Sequence, residues 1–293
     1  MDIRGELELR IKTIDEALEK RLPKLENERA EIYDAMRYSL FAGGKRLRPM
    51  LMWEACGACG GSWEDVEPFA CALEMIHTYS LIHDDLPAMD NDDLRRGLPT
   101  NHIKFGEAIA ILAGDALLNK AFEIISSERY EYPERALKAI AVLAESSGTE
   151  GMIGGQVLDL ESENRQISPE ELKHIHRLKT GALIRAACII GGIMAGADKS
   201  EINALDIYAE NLGIAFQIQD DILDVTGSEE ELGKPIGSDK ESGKNTYVSL
   251  YGIEKAKQLM KEYSENAKEA VSALGDGAGF LTVLTEYLVN RRK

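Results

Sequence analysis

Five carboxylates fall within ten residues, Asp84 to Asp93, in the stretch Ser80-Leu81-Ile82-His83-Asp84-Asp85-Leu86-Pro87-Ala88-Met89-Asp90-Asn91-Asp92-Asp93-Leu94-Arg95-Arg96-Gly97, which ends on two adjacent arginines. Acids crowded beside bases suit a polyanion held through metal. Carboxylates repel phosphate, but a hard cation between the two takes one or two carboxylates and completes its shell with phosphate oxygens. Arginines grip the same oxygens by forked hydrogen bonds. A solvated acidic loop would look the same from this stretch alone. A second cluster tips the balance: Gln217-Ile218-Gln219-Asp220-Asp221-Ile222-Leu223-Asp224 lies among apolar residues, where unpaired charge is costly. Two Asp-Asp pairs facing each other would make a metal site.

The elements that must position these acids differ. At about 100° per residue, Leu205, Tyr208, Leu212, Phe216 and Leu223 form one stripe of a helix, and Gln217, Asp220 and Asp224 fall together on its flank. In the first cluster Pro87 ends or kinks the helix. Asp84 and Asp90 would otherwise point to different faces, and the kink is expected to bring both to one ion pair.

With these residues in view, the sequence resembles the trans-polyprenyl diphosphate synthases, and among them the bacterial farnesyl diphosphate synthases. The resemblance runs nearly end to end. It rests on Gly43-Gly44-Lys45-Arg46-Leu47-Arg48-Pro49, the Asp84 to Arg96 motif with two extra residues, Lys179-Thr180-Gly181, Gln217 with Asp220-Asp221-x-x-Asp224, and Gly243-Lys244. One residue departs from the pattern: Asn91 stands where close relatives often carry another aspartate. Asp84, Asp85 and Asp90 are all present, so metal binding is expected to survive.

The resemblance implies an all-α, isoprenoid-synthase-type bundle of roughly ten or more helices around a central cavity. It also implies a Mg²⁺-dependent prenyltransferase of isoprenoid biosynthesis, condensing isopentenyl diphosphate head to tail with dimethylallyl or geranyl diphosphate. The products are (2E,6E)-farnesyl diphosphate and pyrophosphate. Three Mg²⁺ per active site are implied, with Mn²⁺ as a substitute, held by Asp84, Asp90 and Asp220, while Asp85, Asp221 and Asp224 adjust charge or water ligands. Arg95, Lys179, Lys244 and Lys234 would bind the allylic diphosphate. Gly44, Lys45, Arg48, His77 and Arg96 would hold the second diphosphate without metal. His77 lies two helical turns before Asp84, in register with it. Thr180 and Gln217 offer negative dipole ends to a carbocation. Tyr79, with the small Ser80 beside it, is the implied cavity floor that stops growth at fifteen carbons. A cytoplasmic homodimer is implied.

The chain has 293 residues, 44% of them apolar, enough for a continuous core in a single domain over residues 1–293. Its net charge of −17, from 34 basic and 51 acidic residues, argues against nucleic acid or an anionic membrane as main partner. It also repels a free diphosphate, so local positive charge is needed, and Lys45-Arg46-Arg48 and Arg95-Arg96 are the sources. The first residues, Met1 to Glu6, lack an apolar signal core, and the apolar run Ala186 to Ala197 is too short to span a bilayer. Four cysteines form no disulfide framework. Cys56-Gly57-Ala58-Cys59 has neither a second pair nor a βαβ context, and reads as small residues at a helix end rather than as redox or zinc chemistry.

Helices are expected at about Leu7–Leu22, Glu26–Ala42, Pro49–Cys59, Glu64–His83, Phe105–Ser126, Pro133–Glu145, Gly148–Leu160, Ile202–Val225, Tyr251–Leu274 and Gly279–Asn290. Another starts at Ser168 with a capping box to Glu171. Glycines and alanines across 105–126, 133–145 and 148–160 permit close helix approach, and the last of these helices carries Gln156 and Asp159. His174 and His176 fall on different helix faces and are expected at the surface. No stretch alternates as a strand should. Thr226–Tyr247, rich in Gly, Ser, Lys and Glu, has the length and composition of a mobile lid loop.

Three rivals remain. Another synthase would make a geranyl or geranylgeranyl product. A class I terpene cyclase would carry Asn, Ser or Thr and Glu in its second metal motif, and would have no use for a co-substrate site at Lys45 to Arg48. A non-catalytic helical regulatory subunit needs neither both acidic motifs nor three basic sites.

Overall fold

Apolar side chains return every three or four residues along most of the sequence, and the fold is accordingly all-α, 77% helical. The structure is a computed structural model that describes residues 3–227 and 244–291. The expected lid lies mostly outside them, as does Lys234. Contacts divide the chain into two units, residues 1–50 with 66–131, and residues 51–65 with 132–293.

The first unit contains α1 (Ile3–Arg21), α2 (Ala30–Leu40), the start of α3 (Leu47–Ala58) and most of α4 (Trp63–Asp84). A short hairpin follows, β1 (Leu94–Arg95) with β2 (Leu98–Pro99), then α5 (Asn101–Phe105) and α6 (Glu107–Ser127). The buried face of α1 is Leu7, Ile14 and Leu18, close to the predicted stripe, and the helix closes two residues before Pro23. Arg21 forks onto Glu67 at 3.0 and 2.7 Å and also reaches Glu128, tying α1 to α4 and to the end of α6. The hairpin was not anticipated, because two paired residues per strand are too few for alternation to register. Its turn residues Arg96 and Gly97 both have positive φ, 55° and 76°, the conformation that a tight two-residue hairpin loop demands.

The second unit holds the rest of α3 and the start of α4. It continues with α7 (Pro133–Ser147), α8 (Met152–Ser162), α9 (Pro169–His176), a π-helical turn (Arg177–Gly181) and α10 (Ala182–Ala195). After these come α11 (Lys199–Thr226), α12 (Tyr247–Tyr251), α13 (Ile253–Ser272), a 3-10 turn (Gly275–Ala278) and α14 (Gly279–Val289). The capping box at α9 forms as expected, with Glu171 N–H donating to Ser168 Oγ at 3.2 Å and Ser168 N–H to Glu171 Oε2 at 2.9 Å. On the buried face of α11, the Tyr208 hydroxyl donates to Leu281 O at 3.1 Å. Ile214, Ile218 and Ile222 pack with Leu172, Ile175 and Tyr247.

Residues Pro169–Ala195 form one helical path, long and apolar enough by length and composition to cross a membrane. The apolar run Ala186–Ala197 covers only its C-terminal part. Of its most apolar window 67% is buried inside the protein, as in a core helix. Cys56 and Cys59 are free thiols, pushed up by burial to about 12 and about 11.

Two expectations are corrected. His176 is not at the surface: it is buried, because Tyr247, from far along the chain, packs its ring 5.5 Å from the imidazole. Arg46, expected among the sources of positive charge for a diphosphate, is buried instead. With φ +46° it turns inward, bonding Asp15 at 2.8 Å, Glu74 at 2.9 Å and Leu40 O at 2.7 Å, and its charge is spent on the core of the first unit.

Candidate active site

In the first unit α4 ends at Asp84 as Pro87 requires. The chain then folds back, Leu86 N–H donating to His83 O at 3.2 Å and Asp90 N–H to Asp84 O at 2.9 Å. Asn91 follows with φ +53° and donates its N–H to Leu86 O at 3.1 Å. Asparagine tolerates this left-handed conformation better than most residues. The fold-back brings the backbones of Asp84 and Asp90 together, and both residues are half-buried.

Asp85 faces inward and is 3% exposed. Arg95 Nε lies 2.7 and 2.9 Å from its two oxygens and Nη2 2.5 Å from Oδ1. Burial pushes the Asp85 carboxyl up, and the forked bonds from Arg95 pull it back. The Gly43-Gly44 turn supports the second arginine. Arg96 Nη1 donates to Gly43 O, and a Cβ on Gly44 would come within 2.7 Å of that guanidinium, at a backbone φ of +135°. His77, half-buried, is held well below the usual imidazole range by burial and then by the charges of Arg48, Arg96, Arg95 and Arg46. His77, Arg48, Arg95 and Arg96 thus share one electrostatic neighbourhood. Lys45 is exposed beside it.

One turn back, Tyr79 is buried and its ring meets His83 edge-on at 5.7 Å. Burial, then Asp84, push its phenol up to about 12. Its hydroxyl has no hydrogen-bond partner among the described residues. Ser80 Oγ donates to His77 O at 2.9 Å. A hollow of about 790 Å³ along α1, lined by Glu8, Asp15 and Phe41, holds none of the expected site residues.

In the second unit the Lys179-Thr180-Gly181 motif occupies the π-helical turn, a local irregularity often found at functional sites. Gly155 of α8 packs against it so closely that a Cβ there would lie 2.7 Å from Lys179 Cα. Lys179 Nζ is 2.6 Å from Asp159 Oδ2. The Thr180 hydroxyl donates to Gln217 Oε1 at 2.9 Å, and Gln217 Nε2 donates to Asp221 Oδ1 at 3.1 Å. Asp221 is 2% exposed, and its other oxygen accepts the Tyr247 backbone N–H at 2.7 Å. Asp224 is also buried. The Asp220 side chain is 46% exposed and ion-paired with Arg291, whose guanidinium lies 3.9 Å over the Phe216 ring. Lys244 is half-buried just before α12.

Among the described residues no three His, Cys, Asp or Glu side chains cluster to hold an ion by themselves. Hard carboxylate oxygens at the half-exposed Asp84 and Asp90 of the first unit, and at Asp220 of the second, are each of the kind that gives an ion one or two protein ligands while phosphate supplies the rest.

A family profile, polyprenyl synthetase, matches residues 29–276. The farnesyl diphosphate synthase of Micrococcus luteus is 48% identical over 275 residues, 94% of each chain. The chain belongs to the polyprenyl synthetase family. This polyprenyl synthetase is likewise 48% identical, over 280 residues, to the geranylgeranyl diphosphate synthase of Cyanophora paradoxa, covering 95% of this chain and 93% of that one. A solved FPP/GFPP synthase from Zymomonas mobilis superposes with a TM-score of 0.88 at 38% identity, covering 98% of this chain and 99% of that one. The fold is therefore that of the isoprenoid synthases, and the protein is an enzyme that transfers prenyl groups from small diphosphates.

Several partners in this polyprenyl synthetase were not legible beforehand. Sequence alone puts Asp159 on its helix without a role, since twenty residues separate it from Lys179. Arg291 and Tyr247 lie 71 and 26 residues from the aspartates they meet, and no local spacing signals such pairs.

Proposed function

We propose that the enzyme condenses isopentenyl diphosphate with dimethylallyl or geranyl diphosphate and releases farnesyl diphosphate. The observation that carries this reading is the cation-rich neighbourhood of His77, Arg48, Arg95 and Arg96 within the same unit as the half-exposed Asp84 and Asp90. Such a pairing of charges is what two diphosphates with opposite fates require.

The allylic diphosphate must leave its carbon. Divalent ions, Mg²⁺ with Mn²⁺ as a substitute and three in number, would be held by Asp84, Asp90 and Asp220 and would supply Lewis acidity to the departing pyrophosphate. Arg95, Lys179 and Lys244 would bind its oxygens, together with Lys234. Arg95 and Lys179 are each held in place by a carboxylate, Asp85 and Asp159. The second diphosphate must stay. Gly44, Lys45, Arg48, His77 and Arg96 would hold it by hydrogen bonds and charge, with His77 neutral at physiological pH. Gly44 contributes by leaving room for the Arg96 guanidinium. The Thr180 Oγ lone pairs and the Gln217 carbonyl would face the allylic cation, and the proton lost after addition would go to pyrophosphate.

The fifteen-carbon product is supported by Tyr79, a buried aromatic beside the small Ser80. Relatives named for both farnesyl and geranylgeranyl products share 48% identity with this chain, so the product rests on that floor. The whole chain would act as one catalytic domain, in a cytoplasmic homodimer.

Incubation with geranyl and isopentenyl diphosphates, with and without Mg²⁺, tests the reading. Farnesyl diphosphate and pyrophosphate should appear only when both substrates and the metal are present. Pyrophosphate release without isopentenyl diphosphate would point to a cyclase, and a twenty-carbon product from the native chain would refute the floor. Tyr79→Ala should lengthen the product on chromatography.

A further inference from the structure

Asp221 sits inside an acidic motif, yet two donors already converge on it. Gln217 Nε2 points at Oδ1 from 3.1 Å and the Tyr247 N–H at Oδ2 from 2.7 Å. An ionised carboxylate only accepts hydrogen bonds, so the group of Gln217 that faces it must be the NH₂. That choice fixes the amide the other way round at its far end, where Oε1 meets the Thr180 hydroxyl at 2.9 Å. A carbonyl oxygen cannot donate, so the Thr180 proton is committed to Gln217 and neither Oγ1 lone pair is spent on this bond.

We propose that Asp221 is a positioning residue rather than a metal ligand. Through Gln217 it sets the direction of the Thr180 hydroxyl dipole, and it is itself anchored by the first N–H of α12. The inference rests on the proposed reaction, in which Thr180 oxygen lone pairs face a developing cation. A hydroxyl turned the wrong way would present its proton to that cation instead. The α12 anchor is built to hold still. Asn245 Nδ2 bonds Ser162 O and Arg165 O at 3.0 and 3.1 Å, Thr246 Oγ1 caps the Ser249 N–H at 3.0 Å, and the Tyr247 ring lies against His176.

The polarity of the chain of bonds gives the test. In Asp221→Asn the Tyr247 N–H keeps an oxygen to bond, so the new NH₂ faces Gln217. The Gln217 amide must then flip, its own NH₂ turns to Thr180, and the hydroxyl dipole reverses. Exchanging both groups, Asp221→Asn with Gln217→Glu, restores these three donor–acceptor matches at the same net charge. The Tyr247 N–H donates to the oxygen of the introduced amide, the NH₂ of that amide donates to one oxygen of the introduced carboxylate, and the Thr180 O–H donates to the other.

The four chains, native, two single and one double, are compared for kcat and KM with geranyl and isopentenyl diphosphates, melting temperature, and Mn²⁺ affinity by paramagnetic resonance in the presence of pyrophosphate. Asp221→Asn should lower kcat about 10- to 100-fold, the scale of one misdirected hydrogen bond to a charged centre, with KM and Mn²⁺ affinity within about threefold of native. The double variant should regain at least about tenfold of that loss. If Asp221→Asn does not fold, the contrast of Gln217→Glu with the double variant carries the same test. Gln217→Glu alone sets two carboxylates face to face, and adding Asp221→Asn should raise both its melting temperature and its kcat. Losses that multiply in the double variant overturn the proposal, whether or not Mn²⁺ affinity falls, and a fall would make Asp221 an ion ligand. An inactive native chain would instead sink the proposed reaction, while the hydrogen-bond polarity stays readable in the four melting temperatures.

Discussion

The Asp-Asp pair occurs twice, and the two copies are held by different means. Asp84-Asp85 closes a helix. Pro87 breaks the helix, the chain folds back so that Asp90 bonds to Asp84, and the buried member, Asp85, takes its counter-charge from Arg95, ten residues on. Asp220-Asp221 lies in the unbroken helix α11, and its partners come from afar: the exposed member pairs with Arg291 and the buried member with Gln217 and the α12 backbone. In each pair one carboxylate is more exposed and the next is 2 to 3% exposed and clamped. Adjacent residues on a helix point about 100° apart, so a pair at the edge of a core must put one acid out and one in. Each Asp-Asp pair thus sets a more exposed carboxylate beside one built into the scaffold.

The largest expected effect tests the outward members. Asp84→Asn and Asp220→Asn should each lower kcat on the order of a thousandfold in steady-state assays. Asp84→Asn should lower the urea midpoint only slightly, because its side chain stays half in solvent. Asp220→Asn should lower it as well, since the Arg291 side chain is only 3% exposed and loses its carboxylate. Equal stability of the two variants would erase the distinction drawn between the motifs.

The inward member of the first pair comes next. Asp85→Asn removes the nearer of Arg95's carboxylate partners, leaving Asp92 at 3.6 Å, and should cost about 2 kcal/mol in urea denaturation, with the stability loss larger than for Asp84→Asn. A loss confined to activity would mean that Asp85 is a ligand after all.

The surroundings of the second motif predict an acid limb. His176, packed on the Tyr247 ring beside the Asp221 anchor, is lowered to about 4, chiefly by burial. Its folded-state value lies below its unfolded one, so the stability it contributes is complete above about pH 6.5 and drains away as the pH falls toward 4. The amount is about 3 kcal/mol. His176→Phe should flatten the dependence of unfolding free energy on pH across that window. An unchanged slope would show that the imidazole is not buried neutral.

The smallest effect concerns the basic turn of the first unit. Gly44→Ala combines an unfavourable φ with a clash against Arg96 and should cost about 1 to 2 kcal/mol. It should also raise KM for isopentenyl diphosphate more than KM for geranyl diphosphate. Equal changes would separate Arg96 from the second diphosphate.

What could be read beforehand follows the range of the interactions. The helices, the break at Pro87 and the Ser168–Glu171 cap are set by neighbours within a few residues, and the sequence carries them openly. The small hairpin is local too, but its signal is only a left-handed Arg96-Gly97 turn, and arginine is an unusual choice there. Arg46 reads as an exposed cation because its neighbours in sequence are polar and glycine-rich. Its burial depends on Asp15 and Glu74, which lie in other helices. His176 reads as a surface residue by helix phase, and it is covered by Tyr247, far along the chain. The split of each Asp-Asp pair into outward and inward members likewise depends on residues that a local pattern cannot name.

The central claim is that both acidic motifs hold divalent ions for the leaving diphosphate. Paramagnetic resonance titration of Mn²⁺ tests it directly, using an unreactive allylic thiolodiphosphate and the native, Asp84→Asn and Asp220→Asn chains. The native chain should bind more than one ion, and each variant should bind fewer or bind them more weakly. Either variant matching the native chain in number and affinity would contradict the account.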